Sequence, residues 1–212
     1  MTEIDTWAED EIVRRITDLR PDDGFLGEEG TSRPGITGVS WVIDPVDGTT
    51  NLLYDIPGYS VSIGVQVDGV TIAGAVFDPV RSELFTAATG DGATRNDEPI
   101  RVSRATELST ALIGTGFSYD AETRRAQGAI LERILPEVRD IRRLGGAALD
   151  LCAVACGRLD ASYERGLSPW DSAAGALIAH ESGAVVDEQE LTWASAPGIA
   201  DAFLSLLETA GA

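Results

Sequence analysis

The 212-residue chain contains no lysine; its sixteen basic side chains are all arginine. That excludes Schiff-base and pyridoxal-phosphate chemistry, and with them the P-loop lysine of Walker-type nucleotide hydrolases. Histidine is nearly missing as well. With His180 alone, neither a two-histidine zinc site nor a pair of histidine general bases can form. Two cysteines four apart in LDLCAVACG make no disulfide framework, and Cys152 and Cys156 read as small apolar side chains inside a buried helix. The opening residues, MTEIDTWAEDE, are polar and acidic where a secretory leader would be basic and then apolar. No apolar run approaches the roughly 18 residues of a membrane span. The expectation is a soluble, cytoplasmic protein without a membrane partner.

What is present is ordinary globular usage, 43% hydrophobic and 24% charged, enough to bury a core. The formal net charge of −19 repels a phosphate backbone over most of the surface, so nucleic acid is not expected as a partner. An anionic small substrate would need a locally positive feature, such as a bound cation or a helix N-terminus. Acid–base work falls to carboxylates, hydroxyls or a water activated by metal.

Asp5 or Thr6 followed by AEDEIVRRITDL predicts a capped amphipathic helix, with Ile12, Val13, Ile16 and Leu19 on one face and Pro21 closing it. Residues 24–38 carry five glycines and a proline and read as a loop or ribbon tip. VSWVID, YSVSIGVQVDG, VTIAGAVFDP and SELFTAAT then predict antiparallel strands separated by Asp-Gly and Asp-Pro turns. Past residue 110 strand and helix alternate: ALIGTGFS, AETRRAQGAILERILPEV, RDIRRLG, the cysteine helix, LDASYE, GAVVDE and a last helix, GIADAFLSLLETA. The reading is an α+β N-terminal half with an antiparallel sheet and a metal-binding loop over 1–112, and an α/β half with a partly parallel sheet over 113–212.

The stretch WVIDPVDGTTN at 41–51 delivers Asp44 at the end of an apolar strand, turns at Pro45 and brings back Asp47 beside a glycine. Two carboxylates facing one point share a proton or hold a cation, and oxygen-only ligands favour Mg²⁺, Mn²⁺ or Ca²⁺. The competing reading is a plain Asp-Gly turn with Asp44 as a strand-end cap. Gly48-Thr49-Thr50-Asn51 adds successive amides where a short helix can start and bind phosphate. Ser168-Pro169-Trp170-Asp171 opens another helix and satisfies a capping box without implying function, while Ala173, Ala174 and Gly175 would let that helix lie against another backbone. Glu28 and Glu29 in GEEG form a further acidic pair or simply a solvated turn. His180 reads as a packed or surface residue. Gly114-Thr115-Gly116 fails as a dinucleotide fingerprint, because the third glycine position is Tyr119.

Taken together, GEEG at 27–30, WVIDPVDGTTN and SPWDSAAGALIAHESGA at 168–184, with YSVSIGV, RRLGGAALDLC and GRLDASYE between them, resemble the inositol monophosphatase family of Mg²⁺-dependent, lithium-sensitive phosphatases. The resemblance implies a layered α-β-α-β-α sandwich of the inositol monophosphatase and sugar phosphatase type. It also implies metal ligation by Glu28, Asp44, Asp47 and Asp171 with the carbonyl of Val46, two or three Mg²⁺ ions or Mn²⁺ in their place, and Asp44 bridging. Gly48 and Thr49 would bind phosphate, Gly146 and Ala147 would line the alcohol side, and Glu164 would accept substrate hydroxyls. Asp47 and Asp171 would also border the substrate, and Glu28, Asp47 and Thr49 would act on the attacking water. Inositol 1-phosphate is the expected substrate. Fructose 1,6-bisphosphate, histidinol phosphate, phosphoadenosine phosphate and NADP(H) are the alternatives within the family.

Homodimerisation is expected on the same basis. The chain begins almost directly at TEIDTWAEDE, so the family's usual first helix and a loop lysine are expected to be lacking. That leaves a shortened, weakly active or non-catalytic binding protein of the same fold as a second alternative. LSPWD before the metal aspartate departs from the more polar family pattern and would alter the sugar-side pocket.

Overall fold

The computed structural model describes residues 2–212. Helix α1 (Glu3–Leu19) is capped by Thr2, not by Asp5 or Thr6 as expected. Thr2 Oγ1 accepts from the amides of Ile4 and Asp5 at 3.2 and 3.4 Å, and the Asp5 carboxylate takes the Thr2 amide in return. This reciprocal pair satisfies donors that a helix end leaves open. Of the expected apolar face, Ile12, Val13 and Ile16 are half-buried but Leu19 is 82% exposed, and the residues that α1 buries fully are Asp5 and Glu9. Glu9 turns inward because its carboxylate accepts from the amides of Glu29 and Thr31, each at 2.9 Å.

The glycine-rich stretch is only partly loop. It contains strands β1 (Gly24–Gly27) and β2 (Ser32–Arg33), and β1 runs parallel to β3 (Val39–Asp47). A four-residue strand with glycine at both ends carries no alternation to detect. Helix α2 (Thr49–Leu53) follows, and then a meander of β4 (Ser60–Val67), β5 (Val70–Asp78), β6 (Glu83–Ala88), β7 (Gly92–Arg95) and β8 (Glu98–Pro99). These strands form one eight-stranded sheet in the order β2-β1-β3-β4-β5-β6-β7-β8. Its two-residue hairpins at Asp68-Gly69 and Asn96-Asp97 have positive φ at both central positions, the turn whose twist matches its strands.

The second sheet comes from β9 (Leu112–Thr115), β10 (Asp140–Arg142), β11 (Ala161–Arg165), β12 (Val185–Glu188) and β13 (Leu191–Ser195), in the order β10-β9-β11-β13-β12. It is parallel through β10, β9 and β11 and antiparallel beyond. Strand β13 had no place in the sequence reading: LTWAS mixes small and polar residues, and from Thr192 to Ser195 it is buried without alternation. Helices α3 (Ala121–Ile134), α4 (Ala147–Ala155), α5 (Pro169–Glu181) and α6 (Ala200–Ala210) complete the chain.

The layers are α-β-α-β-α. Helix α1 lies on β3, α4 and α5 fill the space between the sheets, and α3 and α6 cover the second sheet. Packing between the sheets depends on small residues. Gly64 and Gly74 pair across β4 and β5, and a Cβ on Gly74 would stand 2.9 Å from Ala174 Cα. Gly175 admits Leu151 and the Ala148 carbonyl of α4 equally closely. The Ala173-Ala174-Gly175 run therefore does let α5 lie against other backbone. Cys152 is buried in α4 and Cys156 half-buried at its end, both free thiols.

Candidate active site

Strand β3 is buried through Val42 and Ile43 and then slips register. Asp44 pairs with Ser62 and Asp47 with Ser60, leaving one extra residue in the Pro45-Val46 segment. This bulge re-aims both carboxylates from one strand. The Val46 amide donates to Asp44 Oδ1 at 2.9 Å, and the Thr49 hydroxyl donates to the Val46 carbonyl at 3.0 Å. Gly48 then holds φ at 87°, and a Cβ there would meet the Gly58 carbonyl at 2.7 Å, so only glycine makes the turn into α2.

Asp47 reaches across a hundred residues of sequence. Its two oxygens accept from the amides of Ala147 and Ala148 at 3.1 and 2.9 Å, capping helix α4, whose own N-cap Gly146 supplies no side chain. Ala147, expected on the alcohol side, borders the cavity while its amide is engaged by Asp47. Asn51 fastens the same junction, donating to the carbonyls of Gly58 and Leu144 at 2.9 and 2.7 Å. From the other end of the chain, Asp171 stands in the first turn of α5 and accepts from the Ser168 amide at 2.7 Å. The capping reading of SPWD thus holds, and the same side chain also borders the pocket.

The ten site residues that the resemblance implies line one cavity of about 530 Å³: Glu28, Asp44, Val46, Asp47, Gly48, Thr49, Gly146, Ala147, Glu164 and Asp171. Glu28 enters from the turn that Glu9 pins, whereas Glu29 is not among the lining residues. His180 lies away from the cavity with 68% of its side chain exposed. Sequence reasoning missed Arg143, Asp150 and Tyr119, which also line it. The Tyr119 hydroxyl lies 3.2 Å from Thr50 Oγ1. Arg143 and Tyr119 gave no signal in the sequence. Asp150, an acid inside the apolar run AALDLCAVA, did.

The pocket's acids are held away from their charged forms. Burial, then the neighbouring Asp47 and Glu28 charges, push Asp44 up to about 11. Burial and Asp171 raise Asp47 to about 7 against the opposing pull of the Ala148 and Ala147 amides. Burial raises Glu164 to about 7 although Arg143 draws it down. Glu28 and Asp171 are raised by burial as well, and Glu28 and Asp44 face each other closely enough to share a proton.

Among the described residues, no ion pair with arginine relieves Glu28, Asp44, Asp47 or Asp171. Nor do three acidic, histidine or cysteine side chains converge into a ready-made metal cage. The protein's own donors explain this, since Asp47 and Asp171 are turned onto backbone amides and Glu28 onto Asp44. The donor chemistry nonetheless suits a hard divalent cation: oxygen ligands only, desolvated, and repelling one another until a positive charge joins them.

The inositol monophosphatase family model matches residues 1–208. The inositol-1-monophosphatase of Mycobacterium leprae is 49% identical, over 98% of this chain and 78% of that protein. The solved structure of Mycobacterium tuberculosis SuhB superimposes with a TM-score of 0.90 at 50% identity, covering 97% of this chain and 84% of that one. A Xylella fastidiosa protein named Nus factor SuhB is 44% identical, over 87% of this chain and 67% of its own length. A buried acidic pocket at the bulged end of β3, a matching fold and a family match across nearly the whole length converge on one statement: this chain belongs to the inositol monophosphatase family, whose members are phosphatases.

Proposed function

We propose that the chain hydrolyses a phosphate monoester with dependence on Mg²⁺, or Mn²⁺ in its place, and that inositol 1-phosphate is its substrate. The observation that carries this reading is the cluster of desolvated carboxyls, Glu28, Asp44, Asp47 and Asp171, around one cavity without an arginine partner. In a protein of net charge −19, these four carboxyls repel a phosphate dianion until a cation joins them. The four side chains and the Val46 carbonyl would hold two or three such ions. When bound, a cation pair lowers the pKa of water and neutralises the attacking and leaving oxygens of an in-line displacement.

The remaining work belongs to the chain. Gly48 and Thr49 offer amides to the phosphoryl oxygens. Thr49, whose hydroxyl is oriented by the Val46 carbonyl, positions the attacking water with Glu28 and Asp47. Gly146 and Ala147 border the alcohol, and Glu164, with Asp47 and Asp171 beside it, accepts hydrogen bonds from the substrate's hydroxyls. No covalent protein intermediate is required, in keeping with a chain that has no lysine and a single histidine. The protein acts in the cytoplasm as a homodimer, which sedimentation velocity tests.

The experiment is phosphate release from inositol 1-phosphate, fructose 1,6-bisphosphate, histidinol phosphate, phosphoadenosine phosphate and NADP, with and without Mg²⁺ and Li⁺. Mg²⁺-dependent, Li⁺-inhibited release, fastest from inositol 1-phosphate, is expected; no release from any ester overturns the reading. The name Nus factor SuhB on a relative favours a second reading, a binding protein of the same fold, and that outcome would leave it standing.

A further inference from the structure

Asp150 lines the cavity and has no part in the roles above. It stands on α4 one turn beyond Ala147, 4% exposed, in a helix otherwise built of apolar residues. Its Oδ1 is buried with no hydrogen-bond partner, whereas Asp47 and Asp171 both accept backbone amides. Asp150 and Glu164 also share a small recess off the main cavity, about 10 Å³, bordered by Ser162 and Thr192. That is room for about one water centre, with four polar side chains to hold it. An unpaired buried carboxyl costs stability, and an apolar residue would serve this helix better. Burial and the Glu164 charge keep the Asp150 proton in place, so the group can donate as well as accept.

Resting on the phosphomonoesterase reading of this pocket, we propose that Asp150 is a positioning residue: through the Ser162–Thr192 recess it holds the Glu164 carboxyl against the hydroxyls of a polyhydroxylated leaving group. It thereby selects polyol esters over esters whose alcohol carries no further hydroxyl.

The test compares the full chain with Asp150→Leu and Asp150→Ala, using inositol 1-phosphate and 4-nitrophenyl phosphate in saturating Mg²⁺. The expected result is an about tenfold fall in the ratio of kcat/KM for inositol 1-phosphate to that for 4-nitrophenyl phosphate, carried by KM. Asp150→Asn, which still donates and accepts, restores most of that ratio. Asp150→Leu raises Tm while it lowers selectivity, a combination that a packing role does not produce. Asp150→Ala adds no bulk and decides the matter if the leucine variant fails to fold. An unchanged ratio, or equal losses on both esters, overturns the proposal. Calorimetric binding of inositol 1-phosphate in Ca²⁺ separates this failure from that of the underlying reading. If the wild type hydrolyses neither ester, the phosphatase reading falls. An about tenfold weaker affinity in Asp150→Ala would then still support the positioning role, and equal affinity, or none in either protein, would overturn it.

Discussion

The two faces of the second sheet are packed on opposite terms. Toward the first sheet, α4 and α5 meet their neighbours through Ala148, Ala174 and Gly175 over Gly64 and Gly74, with backbone nearly touching backbone. Away from it, α3 and α6 bring Ile134, Phe203 and Leu207 onto Ile113, Tyr163 and Trp193, and the Phe203 ring meets both aromatic neighbours edge-on at 6.2 Å. The outer face gains stability from apolar area. The inner face sets distance: α5 carries Asp171 in its first turn, α4 is capped by Asp47, and both helix ends reach the β3 bulge because nothing large intervenes. One interface is tuned for stability and the other for geometry, so their variants should fail in different ways.

The largest expected effect separates chemistry from both interfaces. Asp44→Asn keeps the shape of the bulge and should lower kcat by about a thousandfold with Tm undiminished, since an amide carries no charge to desolvate. Assays of turnover and melting on one preparation check both halves. Phe203→Ala should do the reverse. A loss of about 3–5 kcal/mol in urea unfolding is expected, with kcat at a permissive temperature within about twofold of wild type. If Phe203→Ala instead impairs kcat as strongly as Asp44→Asn does, the division between the two faces is wrong.

Gly74→Ala sharpens the comparison, because its methyl would press on the Ala174 backbone and no flexible side chain can yield. About 1–3 kcal/mol of stability should go, together with a fall in kcat/KM as α5 and Asp171 shift. Loss of stability without loss of activity would show that the inner spacing does not set the site.

The pH dependence follows from the acids. Asp47 and Glu164, raised to about 7, hold protons in the folded chain that the unfolded chain has released above about pH 4–5. The folded state binds more protons, so stability of the cation-free protein is full below that range and declines as pH rises through 7. Calorimetric Tm should therefore fall between pH 5 and 8, and saturating Mg²⁺ should raise Tm more at pH 8 than at pH 6. A flat or rising profile without cation contradicts these assignments. At the small end, Arg81→Ala removes a half-exposed arginine from the buried Asp78, whose carboxylate keeps the Val80 and Arg81 amides; activity should not change and stability should fall by no more than about 1 kcal/mol.

Much of the architecture was legible because local chemistry and global position agree. The DPVDG turn, the SPWD helix start and the alanine-glycine run of α5 each carry a constraint that few sequences meet, and each lies where its residues predict. What escaped was non-local. Strand β1 is too short and glycine-flanked to show a period, and β13 is buried on both faces. The inward turn of α1 depends on Glu9 meeting amides twenty residues away, which no helical periodicity encodes. In the pocket, the residue types of Asp44 and Asp47 announced a cation or a shared proton, but not that Asp47 also caps α4. Arg143 and Tyr119 carry no pattern of their own; the 142–146 turn and the segment after β9 bring them to the pocket.

The central claim is that Glu28, Asp44, Asp47 and Asp171 gather divalent cations at the bulged end of β3. Anomalous diffraction from crystals grown in saturating Mn²⁺ tests it most directly. Strong peaks within coordination distance of Asp44 and Asp47, shared with Glu28 or Asp171 and lost in Asp44→Asn, are predicted; a map without anomalous density in that cavity would contradict the account.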